Sequence, residues 1–205
     1  MLVLTFTTGI NDAVGYLGLD KVFTGNMTGN VVVLGMALAG GTSLPVLGPA
    51  LALAGFGAGA AAGGRVLARD PRPWGSRTTA LFALVGLVML ALGTVLATAS
   101  RTHTVDVVIT TVAAIAMGLQ AATARHVAVK ELTTVVVTSA ITGLAADSWF
   151  GNGHGGPWRR RAGAVALILL GALSGAAMLQ WHLAVPMFVA GVLILGATAA
   201  GARAS

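Results

Sequence analysis

The chain is a series of apolar stretches cut by short polar breaks, and that pattern constrains its fold more than anything else. The stretches fall at 1–18, 28–40, 45–67, 78–98, 106–124, 133–147, 162–181 and 184–204. A helix that crosses ~30 Å of hydrocarbon needs ~20 such residues. Six of the stretches are that long, or nearly so; 28–40 and 133–147 are too short. Only 9% of the 205 residues are charged and 56% are hydrophobic, whereas a water-exposed domain carries roughly 25% charge. These values exclude a soluble enzyme, a nucleic-acid binder and a disordered chain. They predict an all-α polytopic membrane protein, with 1–205 forming a single membrane domain.

The net charge of +6 comes from arginines placed in the breaks. There they act as topology signals and as contacts to anionic lipid, so the predicted partner is the lipid bilayer and not nucleic acid. The chain has no cysteine, which removes disulfides, thiolate zinc sites and redox dithiols. The first stretch has no basic lead and carries Asn11 and Asp12. It is expected to be a retained span rather than a signal peptide.

Each short stretch follows a polar run just after a long one: Lys21 to Asn26 in one case, Arg125 to Glu131 in the other. Short hydrophobic segments at matching places in two halves mark broken or re-entrant helices. The halves match elsewhere. Gly9-x-Asn11 aligns with Gly118-x-Gln120, Thr24 and Thr28 with Thr134 and Thr138, and Gly59-Ala-Ala-Ala-Gly63 with Gly171-Ala-Leu-Ser-Gly175. The first repeat is expected over 1–98 and the second over 106–205. The small-xxx-small pairs would pack equivalent helices closely.

Charge then sets the topology. Arg65, Arg69, Arg72 and Arg77 flank one loop, and Arg159, Arg160 and Arg161 lie in another. Both should face the cytoplasm, so an even number of crossings separates them. The short 133–147 is the one that does not cross, and by the repeat neither does 28–40. About six transmembrane helices remain, as two inverted three-span repeats, each with a short broken or re-entrant half-helix. Both termini are then cytoplasmic.

The densest polar cluster is Asn11-Asp12 followed by Thr24-Gly25-Asn26-Met27-Thr28-Gly29-Asn30. An ionisable residue in a span is costly, so Asp12 should face protein or a wet cavity. Thr24, Asn26 or Thr28 is placed to cap a half-helix, whose free N–H groups would favour an anion. The cluster is either a pore or substrate site or a packed polar hinge. A second cluster comprises Gln120, Arg125, His126, Lys130, Glu131, Thr133, Thr134 and Thr138. The repeat would set Gln120 and Thr138 opposite the first cluster. Lys130 is expected to reach toward headgroups, and Arg125 either does the same or lines the cavity. Asp147 either binds a proton or cation or pairs with Arg159–Arg161.

His103, His126, His154 and His182 show no metal-ligand spacing, so no metal and no cofactor are expected. Ser174 lacks the spacing of an intramembrane nucleophile and should be a packing residue. Trp74, Trp149, Trp158 and Trp181 lie near span ends, where such rings anchor at the interface.

The runs Gly9-x-x-Asp12-Ala13-x-x-Tyr16-Leu17-x-Leu19, Val22-Phe23-Thr24-Gly25-Asn26-Met27-Thr28-Gly29-Asn30, Met117-Gly118-Leu119-Gln120-Ala121-Ala122 and Leu132-Thr133-Thr134 together resemble the YoaK family, the DUF1275 domain of bacterial inner-membrane proteins. Gly25 departs from the alanine expected there. The resemblance implies a six-span protein of the bacterial plasma (inner) membrane. It brings no catalytic residues with it.

The expected function is a small membrane transporter or channel-like protein for a polar solute. Its midplane site would join Asp12, Asn26, Thr28 and Asn30 from one repeat to Gln120, Arg125 and Thr138 from the other. Six spans give a thin wall, which suggests a homodimer. The alternative is a non-transport scaffold or lipid-interacting protein. An enzyme is not expected, since no nucleophile and base share a usable spacing.

Overall fold

A computed structural model describes residues 1–40, 44–127, 137–149 and 157–204, and among them there is no strand. The helices are α1 (Leu2–Ala13), α2 (Met27–Leu38), α3 (Leu47–Leu67), α4 (Ser76–Thr98), α5 (His103–His126), α6 (Val137–Ala146), α7 (Trp158–Leu179) and α8 (Ala184–Ala204). Five of these, α3, α4, α5, α7 and α8, are long and apolar enough to cross a membrane. α1 gains a further turn, of π type, over Val14–Gly18, and together they rise about 25 Å at ~1.5 Å per residue. Threonines are tolerated in these apolar helices because their hydroxyls bond back along the helix. Thr8 donates to Leu4, Thr110 to Asp106 and Thr198 to Ile194, at 2.7–2.9 Å.

The packing is built on glycine. α1 runs parallel to α7, with Gly9 against the Ile168 carbonyl and Gly171 against the Phe6 carbonyl. α3 runs parallel to α5, with Gly118 against the Phe56 carbonyl and Gly59 against the Ile115 carbonyl. At each of the four places an added Cβ would overlap backbone. α4 lies antiparallel to α8, where Gly86 and Gly191 face one another. Small residues let helix backbones approach closely where lipid offers no hydrophobic drive for association.

Loops assign the helix ends to two faces. One face holds the turn after α3, whose Arg72 carbonyl meets His126 at 3.0 Å, and the end of α8, where Gly201 packs on Trp74. The start of α7, with Arg159–Arg161, belongs to this arginine face. The opposite face holds the end of α1, where the Gly18 carbonyl accepts from Arg101 at 2.8 Å and Asp20 stands 3.8 Å from His103. Trp149, Trp158 and Trp181 are well exposed near helix ends, as anchoring rings should be. Trp74 differs: it stacks toward Phe82 at 5.6 Å and donates to Thr79 at 3.1 Å, so it packs helix ends together.

Candidate functional site

After Gly18 the chain turns back through Lys21, whose φ of +52° is left-handed, and retraces α1. The Val22 amide donates to the Gly15 carbonyl at 3.3 Å, and Gly25 reaches Asp12 and Thr8. α2 therefore begins level with the middle of α1. Its 12 residues rise about 18 Å, little more than half a bilayer. Gly48 at the start of α3 abuts Asp20, and Ala39–Gly40 is a turn rather than extended chain. The short link 39–46 can close only if α2 heads back to the face from which the chain came.

α6 does the same from the other side. Val137 and Thr138 in its first turn line a cavity that they share with Asp12 and Asn26. One residue past its other end, Asp147 accepts from Arg161 of α7 at 2.6 Å, on the arginine face. Two half-length helices thus start at one mid-depth cavity and run outward to opposite faces.

That cavity encloses about 530 Å³. Its polar wall is Thr8, Asp12, Tyr16, Asn26, Thr28 and Thr138; its apolar wall includes Phe23, Val32, Val33, Phe56 and Ile168. Tyr16 and Phe23 stack with centroids 4.7 Å apart. Asp12 holds the start of α2 in place. Its Oδ1 accepts from the Gly25 amide at 2.7 Å and from the Asn26 amide and Thr24 hydroxyl at 3.4 Å. Asn26 caps the helix by accepting from the Gly29 amide at 3.3 Å. All three of these bonds fall on the one oxygen, Oδ1. Two amides at the positive end of α2 are thus already matched by a carboxyl group of the chain. Among the described residues, Asp12 is the sole charged side chain in the cavity wall.

The anticipated residues divide. Asp12, Asn26, Thr28 and Thr138 meet in the cavity. Asn30 does not line it. Fully buried, its amide accepts from the Phe23 amide at 2.9 Å and donates to the Phe23 carbonyl at 2.6 Å, closing the loop that leads into α2. Gln120 is buried just behind the wall, donating to the Thr8 hydroxyl at 3.4 Å. Asn11 donates to Met117 Sδ at 3.4 Å. Arg125 is exposed on the last turn of α5, outside the cavity wall. Lys130, Glu131, Thr133, Thr134 and His154 lie outside the described residues. Thr8, Tyr16 and Phe23 were not anticipated in the wall. Thr8 looks like any span threonine, and the two aromatic rings meet only because the chain folds back.

Gly25 has a local reason. A Cβ there would stand 2.7 Å from the Thr8 methyl and 3.5 Å from Asp12 Oδ1, so glycine lets the backbone reach the carboxylate. Asp147 takes the ion-pair option with Arg161. Ser174 donates to the Leu170 carbonyl at 2.7 Å, as a packing residue would.

A family model described as "Protein of unknown function (DUF1275)" matches residues 1–200. The "UPF0700 transmembrane protein YoaK" of Bacillus subtilis (strain 168) is 29% identical over 146 residues, 71% of this chain and 64% of that relative. The chain thus covers less than two thirds of the relative's length. No solved structure matches. A match over nearly the whole chain, on a helical membrane fold that carries the Asp12 and Asn26–Asn30 motif at its cavity, places this protein in the DUF1275 family.

Proposed function

We propose that the chain is a small transporter or channel-like protein for a polar solute, not an enzyme. Its binding site lies where the two half-helices meet. The observation that carries this is the mid-depth cavity lined by Asp12, Asn26, Thr28 and Thr138 at the inner ends of α2 and α6. Non-helical backbone at such depth is tolerated where it is buried in protein or lines a water-filled cavity. Substrate sites of inverted-repeat carriers form where helices are broken near the midplane. A carboxyl group facing hydroxyl and amide groups suits a solute that donates hydrogen bonds, or a proton or cation that travels with it.

The inverted repeat belongs to the same reading, and the contacts support it. Gly9 against Ile168 and Gly118 against Phe56 are equivalent pairs, as are Gly171 against Phe6 and Gly59 against Ile115. Thr8 with Gln120 is the counterpart of Met117 with Asn11. The Arg-rich loops and both termini then face the cytoplasm of a bacterial cell. A homodimer would thicken the thin six-span wall.

The scaffold reading also has specific support: Asp12 and Asn30 both hold the loop before α2. Flux in proteoliposomes separates the two. Uptake across a panel of polar and cationic solutes should fall in Asp12→Asn while the protein still elutes and melts as a folded species. If the wild type moves none of the solutes, or Asp12→Asn moves them equally well, the site is a hinge and the scaffold reading stands.

A further inference from the structure

A second site lies far from the cavity, on the arginine face. Arg65 in the last turn of α3 and Arg69 just past it stand four residues apart, so they share one side, where like charges repel. Arg77 joins them from the first turn of α4. With Val66 and Ala68 they line a groove of about 570 Å³.

Among the described residues no carboxylate forms an ion pair with this cluster. Asp12 is in the cavity, Asp20 and Asp106 are on the opposite face beside His103 and Arg101, and Asp147 is paired with Arg161. Asp70, the nearest carboxylate in sequence, accepts from the Arg72 amide at 3.1 Å and lines an adjoining depression whose wall Arg69 and Arg77 share, without forming an ion pair with either. Two other arginines of this face differ: Arg159 lies over the Trp158 ring and Arg161 holds Asp147. α4 also starts without a side-chain cap at Gly75, so its first amides add to the positive end. Arg77 spends one N–H on the Val66 carbonyl at 3.3 Å; the other N–H groups of the three guanidiniums match phosphate oxygens in geometry and charge. The groove sits where the apolar run of α3 ends, and Val66 is 44% exposed in its wall. A positive rim over an apolar wall suits a phosphate carried on acyl chains.

We propose that this groove binds the phosphate of an anionic phospholipid, held by Arg65, Arg69 and Arg77, with Val66 and Ala68 against the first acyl carbons. This does not depend on the transport reading.

Native mass spectrometry of the detergent-purified full chain, with phosphatidylglycerol and phosphatidylcholine in competition, tests it. The wild type should retain phosphatidylglycerol in preference. Arg65→Gln/Arg69→Gln/Arg77→Gln should lower that preference about tenfold or more, since each basic residue near a surface contributes a several-fold factor. Arg159→Gln/Arg160→Gln, which removes two charges from the same face, should keep it. Equal loss in both variants would mean a diffuse charge effect and would overturn the site. So would a wild type with no preference, a measurement that needs no variant. If inorganic phosphate displaces the lipid and by itself raises Tm, the ligand is a soluble phosphate and the lipid assignment fails.

Discussion

The glycine crossings support a quantitative prediction. A methyl group added at Gly59 would run into the Ile115 carbonyl, and one at Gly171 into the Phe6 carbonyl. Both obstacles are backbone, which has no rotamer to escape into, so the helices must separate. Overpacking of this kind costs ~1–3 kcal/mol, while alanine's better helix propensity returns up to ~1 kcal/mol. The net expectation is a loss of up to about 3 kcal/mol, and about 2 kcal/mol if the full propensity gain is realised, for Gly59→Ala and, separately, for Gly171→Ala. Gly57 and Gly163 lie in the same two helices, with nothing within 4 Å of an added Cβ. There only the propensity gain of up to ~1 kcal/mol remains, and the sign reverses. Unfolding in mixed micelles of rising denaturing-detergent fraction, followed by tryptophan fluorescence, measures all four variants. The packing argument fails if Gly59→Ala and Gly171→Ala are no less stable than Gly57→Ala and Gly163→Ala. A large cost at one crossing and none at the other would refute the equivalence of the two halves.

Three further outcomes follow from single side chains. Asn30→Ala strands the part-buried amide and carbonyl of Phe23; at up to ~1–3 kcal/mol for each lost partner, it should be the most damaging change near the cavity, seen as a large drop in Tm. Arg161→Ala should cost no more than about 1 kcal/mol, because the pair with Asp147 is partly solvated; its effect should appear instead as faster hydrogen exchange in α6. Burial raises the Asp20 carboxyl above its ordinary range, His103 pulls it back and Asp106 pushes it further up. A raised folded-state value stabilises the fold below the ordinary carboxylate range, and that contribution is lost as pH rises through the raised value. Asp20→Asn should therefore melt higher than wild type at neutral pH, and the difference should close on acidification; a constant difference across the pH series would refute this.

The spans were legible because stretch length is set by the bilayer, and the arginines mark which loops share a face. The two short helices were legible from 28–40 and 133–147 for the same reason. That Asp12 and Asn26 would come together was legible because a charge and an amide in an apolar run need a partner. Asn30 was misassigned for an instructive reason: a buried amide serves a neighbouring backbone as well as it serves a ligand, and only the Phe23 contacts decide which. Arg125 follows its helix to the arginine face, because the last turn of α5 lies beyond the cavity's depth. Thr8, Tyr16 and Phe23 needed the fold-back at Lys21, whose left-handed backbone no residue type announced. The polar belt of Asp20, Arg101, His103 and Asp106 was likewise hidden, since it joins two loops far apart in sequence.

The two half-helices are not held equally firmly. α2 buries Asn30 and Val33, and its entry is tied to Asp12, whereas no residue of α6 is fully buried. Local opening costs less where fewer groups are sequestered. The chamber therefore has one fixed jamb and one hinged leaf, and the leaf hangs on the side of the guanidinium groups. Of the two half-helices, α6 is the one whose separation from its neighbour, α7, uncovers least and so costs least.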